Sequence, residues 1–383
     1  MARRIETFNG DFDELRDLIL RSWHPAYDGQ AAVFDYSVPY LQWNLQGSTS
    51  DKELSLSYYD GSTLVGFVGG MPRTFSLFSS QTVNGSLCSF LSSDVSTKRS
   101  RIAYDLVTHS SERHHQRGYD FPFFFLDKNF SGSHLLFHKH ADEHIYDLVS
   151  LPDTSFLIKV FDAQRFSDLD ASVSNIERRI LKMWESDPVP FEVDGKMREY
   201  DDSDLSTCLS LLNSYKFHIN LARHWTEDEL QWQLSHQGIS STTVFEKDNQ
   251  IQGLINYHVV PMHGRPGVAG SLAIIDNIYW FNLSDRERQS FLSQTLNQIQ
   301  QSQDILGVLV LDFPYYNHQD NSSVKIGKKS FILRSLTNLV HNKPFRKTGF
   351  LPLLRRLEPN FIVYDPAIAS QIGKCNSVYS DFR

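Results

Sequence analysis

Residues 86–112 read SLCSFLSSDVSTKRSRIAYDLVTHSSE and change character twice within that span. The first part is short and apolar, with Leu87, Phe90 and Leu91 among small residues, and it breaks into a basic, serine-rich turn at 96–101. That is a strand feeding a loop. From there Ile102, Ala103, Leu106 and Val107 fall at helical spacing, so the basic loop sits where a helix begins. A helix start offers unpaired backbone N–H groups and the positive end of the macrodipole, and Lys98, Arg99 and Arg101 add formal charge. Phosphate is the natural ligand of such a place, and a cofactor carrying a pyrophosphate would fit it. Taken alone, the loop reads equally well as an ordinary basic turn on an acidic protein.

This strand, basic loop and helix resemble the acyl-CoA site of the GNAT superfamily. The superfamily pattern is Gln or Arg, two residues, Gly, one residue, then Gly or Ala; Lys98 and Ala103 fit it, and Arg101 stands at the glycine place. One branch, the eukaryotic-type N-myristoyltransferases, carries Arg there. Their Phe-Leu pair followed by a Ser-Lys-Arg-Val-Ala run is similar to residues 89–103. A more specific similarity lies upstream in FDYSVPYLQWNL at 34–45, where that family has Phe-Asp-Tyr-Ser, three residues, Leu, one residue and Trp. Similar segments recur at 195–234 and in NKPFRKTGF at 342–350, so the resemblance spans 8 to about 364 and is stronger in the first half.

The resemblance implies an α/β fold of the α+β kind: two tandem GNAT-like domains, each a mixed, mostly antiparallel sheet flanked by helices. It implies acyl-CoA as co-substrate, carrying myristoyl or another acyl chain, and an amine acceptor such as a peptide or protein N-terminus. The Phe90 and Leu91 backbone N–H groups would then form an oxyanion hole. Lys98, Arg99, Ser100, Arg101, Ile102 and Ala103 would hold the CoA phosphates. Phe34, Tyr36 and Tyr257 would line the acceptor groove, although both tyrosines read equally as core residues. The base would be the chain's terminal carboxylate, at Arg383, with Asp381 as a neighbouring substitute; the other reading of this tail is a frayed terminus. Where many GNAT enzymes place a tyrosine acid, the aligned residue is Phe137, so no acid is assigned. Three departures bear on the acceptor more than on the acyl donor. The chain begins after the family's N-terminal arm, its acidic loop is reduced to 27–30 with Asp28 alone, and Leu309 stands where the family has Asn.

Composition sets outer bounds. The 383 residues suggest two domains, and 21% charged with 40% apolar residues is the balance of a soluble globular protein. A net charge of −8 argues against nucleic acid as the partner. No run approaches the roughly 18 to 20 apolar residues of a transmembrane segment, and the expectation is a cytoplasmic protein. Cys88, Cys208 and Cys375 are far apart, which indicates neither a disulfide framework nor a cysteine zinc site. His138, His140 and His144 do not share a helical face, and no HExxH is present, so no metal is expected. His114 and His115 read as solvated helix residues.

Along the chain, strands are expected at 5–8, 53–59, 63–72, 74–78, 81–87 leading into the central strand, and 119–126, with helices at 13–22, 38–45 and 102–117. Asp11 and Ser37 are the expected N-caps. Residues 152–192 read as a connector with one amphipathic helix at 173–184. The pattern then starts again: a strand at 197–200, helices at 205–217 and 226–234, a hairpin at 242–261, a strand at 273–280, a helix at 285–300 and a strand at 306–313. QIQGLINYHVVP at 250–261 echoes TLVGFVGGMP at 63–72, a weak internal repeat of about 190 residues. The expected halves are therefore 1–160, binding acyl-CoA, and 161–383, shaping the acceptor side, with an insertion at about 314–341 that is either a surface loop or a lid. The second copy has an acidic segment, 281–285, in place of the basic loop, so only the first is expected to bind CoA. Two other functions compete with N-acyl transfer of the myristoyltransferase type: a tandem GNAT acetyltransferase acting on a small amine, and a non-catalytic acyl-CoA- or peptide-binding module.

Overall fold

The computed structural model of the chain describes residues 3–26, 31–94, 101–127, 131–144, 146–170, 172–185, 187–236, 238–302, 304–311 and 343–379. The first part runs β1 (Arg3–Thr7), α1 (Phe12–Ala26), β2 (Val33–Phe34), α2 (Val38–Leu45), β3 (Leu56–Asp60), β4 (Thr63–Leu77), β5 (Gln81–Ser93), α3 (Ile102–Gln116), β6 (Phe121–Asp127), α4 (Ser131–His144), β7 (Asp147–Ser150) and β8 (Thr154–Val160). The second runs α5 (Ala163–Leu169), α6 (Asn175–Trp184), β9 (Lys196–Glu199), α7 (Leu205–Asn213), β10 (Leu221–His224), α8 (Glu227–Leu234), β11 (Ser240–Lys247), β12 (Gln250–His263), β13 (Ser271–Tyr279), α9 (Asp285–Gln300), β14 (Ile305–Leu311), α10 (Lys343–Lys347), β15 (Leu351–Val363), α11 (Pro366–Ile372) and β16 (Val378–Tyr379). Among the described residues no helix is long and apolar enough to cross a membrane.

One ββαβ unit occurs twice. β4 pairs antiparallel with β5, α3 crosses over, and β6 returns parallel to β5; β12, β13, α9 and β14 repeat the arrangement. A parallel return needs such a crossover. The echo seen in the sequence is the glycine on which each crossover helix rests. A Cβ at Gly66 would stand 2.4 Å from Ile102 Cγ2 and 2.9 Å from Leu106 Cδ1 of α3. At Gly253 it would meet the Tyr279 carbonyl at 3.0 Å and Phe291 of α9 at 3.3 Å. Ile102 and Leu106 pack there with Leu56, Tyr58, Val65 and Val68, each buried side chain contributing about 1.5–3 kcal/mol. On the other face α1 buries Leu15, Leu18 and Ile19, and its first turn is capped by Asp11, which accepts from the Glu14 N–H at 3.0 Å. Ser37 caps α2 in the same way.

The two units join in one continuous sheet ordered β1-β3-β4-β5-β6-β15-β8-β14-β13-β12-β11-β9. The order shows an exchange of strands. β15, from late in the chain, lies against β6 of the first unit, and β8, from before the second unit, lies against β14. The 152–192 stretch is therefore more than a connector, because it supplies a central strand. β10 is a further crossing, pairing antiparallel with β4 and parallel with β16. The 205–217 helix divides into α7 and a 3-10 turn, and 74–78 continues β4. The segments 27–30 and 314–341 lie outside the described residues.

Candidate functional site

β5 breaks its pairing at Phe90 and Leu91. Phe67 pairs with Ser92 and Gly69 with Ser89, so Val68 on β4 faces two residues of β5. That is a β-bulge, and Phe90 takes it up in the left-handed region, at φ 56°, a conformation that costs a non-glycine residue on the order of 1 kcal/mol or more. β5 meets β6 only at Gly85–Leu87. Neither Phe90 nor Leu91 has a ladder partner on either side. α1 holds the loosened strand instead. Trp23 Nε1 donates to the Leu91 carbonyl at 3.2 Å, Ser22 Oγ donates to the Ser93 carbonyl at 2.9 Å, and the Ser93 N–H returns a bond to Ser22 Oγ at 3.0 Å.

An aromatic wall stands over this bulge. The Phe90 ring meets Tyr36 edge-on at 5.1 Å, Tyr36 stacks on Tyr40 at 5.0 Å, and half-buried Phe34 lies 5.7 Å from Tyr36. Phe34 sits on β2, which pairs with Met262 and His263 of β12, so the wall bridges the two halves. The structure thus brings Phe34, Tyr36 and Phe90 together. It places Tyr257 apart from them. His258 faces Tyr40, so its neighbour Tyr257 projects from the opposite face of β12. Tyr257 shares that face with Thr243, which touches Thr295 of α9, and burial raises its pKa.

At the start of α3, Arg101 is exposed at the N-cap position and makes no side-chain cap. Its guanidinium lies 4.4 Å from the Tyr104 ring, whose hydroxyl donates to Glu143 of α4. Lys139 approaches the same ring at 5.3 Å. Ile102 is buried under the helix and can offer a ligand only its backbone, while Ala103 is half-buried. Lys98, Arg99, Ser100, Asp381 and Arg383 lie outside the described residues. Phe137 stacks on Phe124 at 3.6 Å as part of the core.

Sequence reasoning missed a buried polar chain beside the wall. Tyr40 Oη lies 3.1 Å from His258 Nε2, and His258 Nδ1 approaches Asp276 Oδ2 at 3.0 Å, in ion-pair range although off the line of a hydrogen bond. Gln233 Nε2 donates to Asp276 Oδ2 at 3.2 Å and to Asn256 Oδ1 at 2.7 Å. Asn277 Nδ2 donates to Asn256 Oδ1 at 3.2 Å, and the Tyr379 hydroxyl donates to Asn277 Oδ1 at 2.5 Å. Asp276 is the extra residue of a bulge between Asn256 and Tyr257 on the ladder, the second unit's counterpart of the bulge at Phe90. The chain of contacts fastens α2 to β12, β13, α8 and β16. An acidic residue inside the apolar run at 271–279 was its one sequence signal.

A cleft opens next to β4, lined by Gly47, Thr49, Gly70, Arg73, Arg223 and Glu229 among others. Arg223 covers the Trp225 ring at 3.3 Å and stands 3.9 Å from Glu229. Burial alone would raise the Glu229 pKa, yet Arg223, the Thr226 bonds and Arg73 hold it below its ordinary value.

His114 also differs from expectation. His114 is fully buried beneath α3, where Nδ1–H donates to the Ser110 carbonyl at 2.6 Å, and burial lowers its pKa to about 4. His115 is exposed. The rings of His140 and His144 are 4.6 Å apart, and among the described residues no group of three His, Cys, Asp or Glu is placed to hold a metal.

No family profile and no curated protein matches the sequence. Solved structures do match. That of Saccharomyces cerevisiae N-myristoyltransferase with bound myristoyl-CoA is similar with a TM-score of 0.68 at 12% identity, over 94% of this chain and 82% of that one. A second structure of that enzyme with myristoyl-CoA gives 0.69 at 12% identity, over 94% and 78%. A GCN5-related N-acetyltransferase from Anabaena variabilis gives 0.50 at 10% identity, over 94% and 72%. At such identities the likeness is one of architecture, and it establishes that this chain has the N-myristoyltransferase-like GNAT fold.

Proposed function

We propose that this protein is an acyl-CoA-dependent N-acyltransferase, moving a long acyl chain such as myristoyl from CoA to an amine, with a peptide or protein N-terminus as the acceptor class. The observation that carries the reading is the bulge in β5. It leaves two consecutive residues of a central strand without ladder partners, next to the start of a crossover helix and under an aromatic wall. Acyl-CoA would supply an activated thioester; the residues of the chain bind, orient and polarise it. The backbone N–H groups of Phe90 and Leu91 donate to the thioester oxygen as negative charge develops there. Arg101, with Lys98, Arg99 and the Ser100–Ala103 backbone, holds the phosphates at the positive end of α3. Phe34 and Tyr36 position the acceptor. Its ammonium first gives a proton to the carboxylate at Arg383; the amine nitrogen then attacks the carbonyl carbon, the C–N bond forms, and the C–S bond breaks as the second proton on nitrogen goes to the leaving thiolate, releasing CoA as the thiol. Residues 1–160 hold the acyl donor in this scheme, and 161–383, which supply the terminal carboxylate, shape the acceptor side together with Phe34 and Tyr36.

The test is acyl transfer to a peptide with a free N-terminus, compared across acetyl-, octanoyl- and myristoyl-CoA. Turnover with the longest chain supports the reading. Turnover with acetyl-CoA alone would replace it with a tandem acetyltransferase, and acyl-CoA binding with no transfer to any amine would replace it with a binding module.

A further inference from the structure

α6 presents its apolar side to solvent. Among the described residues seven large apolar side chains are exposed, and five of them, Ile176, Ile180, Met183, Trp184 and Val189, fall within 176–189. With 3.6 residues per turn, Ile176, Ile180, Met183 and Trp184 share one stripe about 100° wide. Ile176 is 71% exposed and Met183 80%.

The helix is held firmly from its other side. Leu181 is buried, Arg178 lies 3.8 Å from Asp168 and donates to the Ser167 carbonyl, and Lys159 Nζ donates to the Trp184 carbonyl at 3.5 Å. A capping box between Ser174 and Glu177 completes the first turn. The outward stripe is therefore a property of an anchored helix. Charge lies beside it: Arg179 and Lys182 are exposed along one flank, on a chain whose net charge is −8, while Glu177 on the other flank is engaged in the capping box.

The number of apolar side chains narrows the occupant. A stable protein partner needs roughly 20–30 residues a side, and one short helix with four exposed apolar groups, followed by Val189, falls well below that. A bilayer interface makes no such demand. It takes apolar side chains individually, favours Trp at headgroup level, and rewards Lys and Arg when the lipid is anionic. We propose that α6 docks this protein on an anionic membrane leaflet, with Ile176, Ile180, Met183 and Trp184 entering the headgroup boundary and Arg179 and Lys182 set against the lipid phosphates. The proposal rests on α6 and is independent of the acyl-transfer reading.

Vesicle flotation tests it with the full chain, using phosphatidylcholine vesicles with and without phosphatidylserine. The wild type co-floats with the anionic vesicles, and less so at raised salt. Met183→Glu lowers the partition coefficient at least about tenfold, a free-energy change of ~1.4 kcal/mol. Arg179→Glu with Lys182→Glu weakens capture by anionic vesicles specifically. Phe217→Glu, at another exposed aromatic far from α6 in sequence and 68% exposed, leaves partitioning unchanged. All of these side chains are exposed, so melting temperatures should match the wild type and loss of fold is excluded. Absence of co-flotation overturns the proposal, as does a Met183→Glu variant that partitions like the wild type. Sedimentation showing a wild-type dimer that Met183→Glu dissolves would also overturn it, by making the stripe a protein interface.

Discussion

Alanine at Gly66 and at Gly253 should have different consequences, although the two glycines hold equivalent places in the repeated unit. At Gly66 the new Cβ would sit 2.4 Å from Ile102 Cγ2, so the helix must retreat about 1 Å to restore an ordinary carbon contact of roughly 3.5 Å. Ile102 cannot swing aside cheaply, because a β-branched side chain on a helix has one favoured rotamer. Overpacking of this kind costs about 1–3 kcal/mol, and the displaced end of α3 is the one that carries Arg101. At Gly253 the contacts are 3.0 to 3.3 Å, and relief needs only a few tenths of an ångström. Thermal melting with calorimetric titration of myristoyl-CoA separates the two. Gly66→Ala should melt lower and bind acyl-CoA several-fold to tenfold more weakly, while Gly253→Ala should keep wild-type affinity. Wild-type affinity in Gly66→Ala, or an equal loss in both variants, would refute the assignment of the acyl donor to α3.

Other outcomes follow from the same geometry. The pKa of His114 in the folded chain, about 4, lies below the roughly 6.5 of an unfolded histidine. Its contribution to stability is therefore complete above about pH 6.5 and is lost as pH falls toward 4, at up to about 1.4 kcal/mol per pH unit; urea midpoints for wild type and His114→Gln should converge across that window. Residues 1–160 and 161–383 expressed separately should each fail to give a cooperative melt, because β15 completes the sheet at β6 and β8 completes it at β14; two independently folded halves would contradict the exchange. Adding a few residues after Arg383 moves the carboxylate and leaves Asp381 in place, so kcat should fall sharply with acyl-CoA binding intact; undiminished turnover would exclude the terminal base.

Local signals are legible in the sequence. Asp11 and Ser37 cap α1 and α2 as their positions suggested, α9 spans the interval its apolar spacing marks, and Gly66 and Gly253 signal the repeat. What escaped depends on contacts between distant segments. β15 carries Pro352 and Pro359, which mask it as a strand; Pro352 borders an irregular register that runs to Arg356, and Pro359, opposite Phe125 of β6, falls between the β8 pairing that ends at Leu357 and the β7 pairing that begins at Asn360. β8 holds the buried Lys159, whose pKa burial lowers to about 8, and so it did not read as central. The left-handed turn at Phe90 leaves no trace in its own sequence, because Ser22 and Trp23 of α1 hold the neighbouring strand. The contacts of Tyr40, His258 and Asp276 join three elements that no spacing rule connects.

Acyl transfer by this scheme requires acyl-CoA to be held at the start of α3, and titration of wild type and Arg101→Glu with myristoyl-CoA tests this directly. Charge-assisted phosphate contacts contribute roughly 1.5–3 kcal/mol each, so the wild type should bind one acyl-CoA per chain and the variant at least about tenfold more weakly. A wild type that binds no acyl-CoA, or a variant with unchanged affinity, would contradict the account.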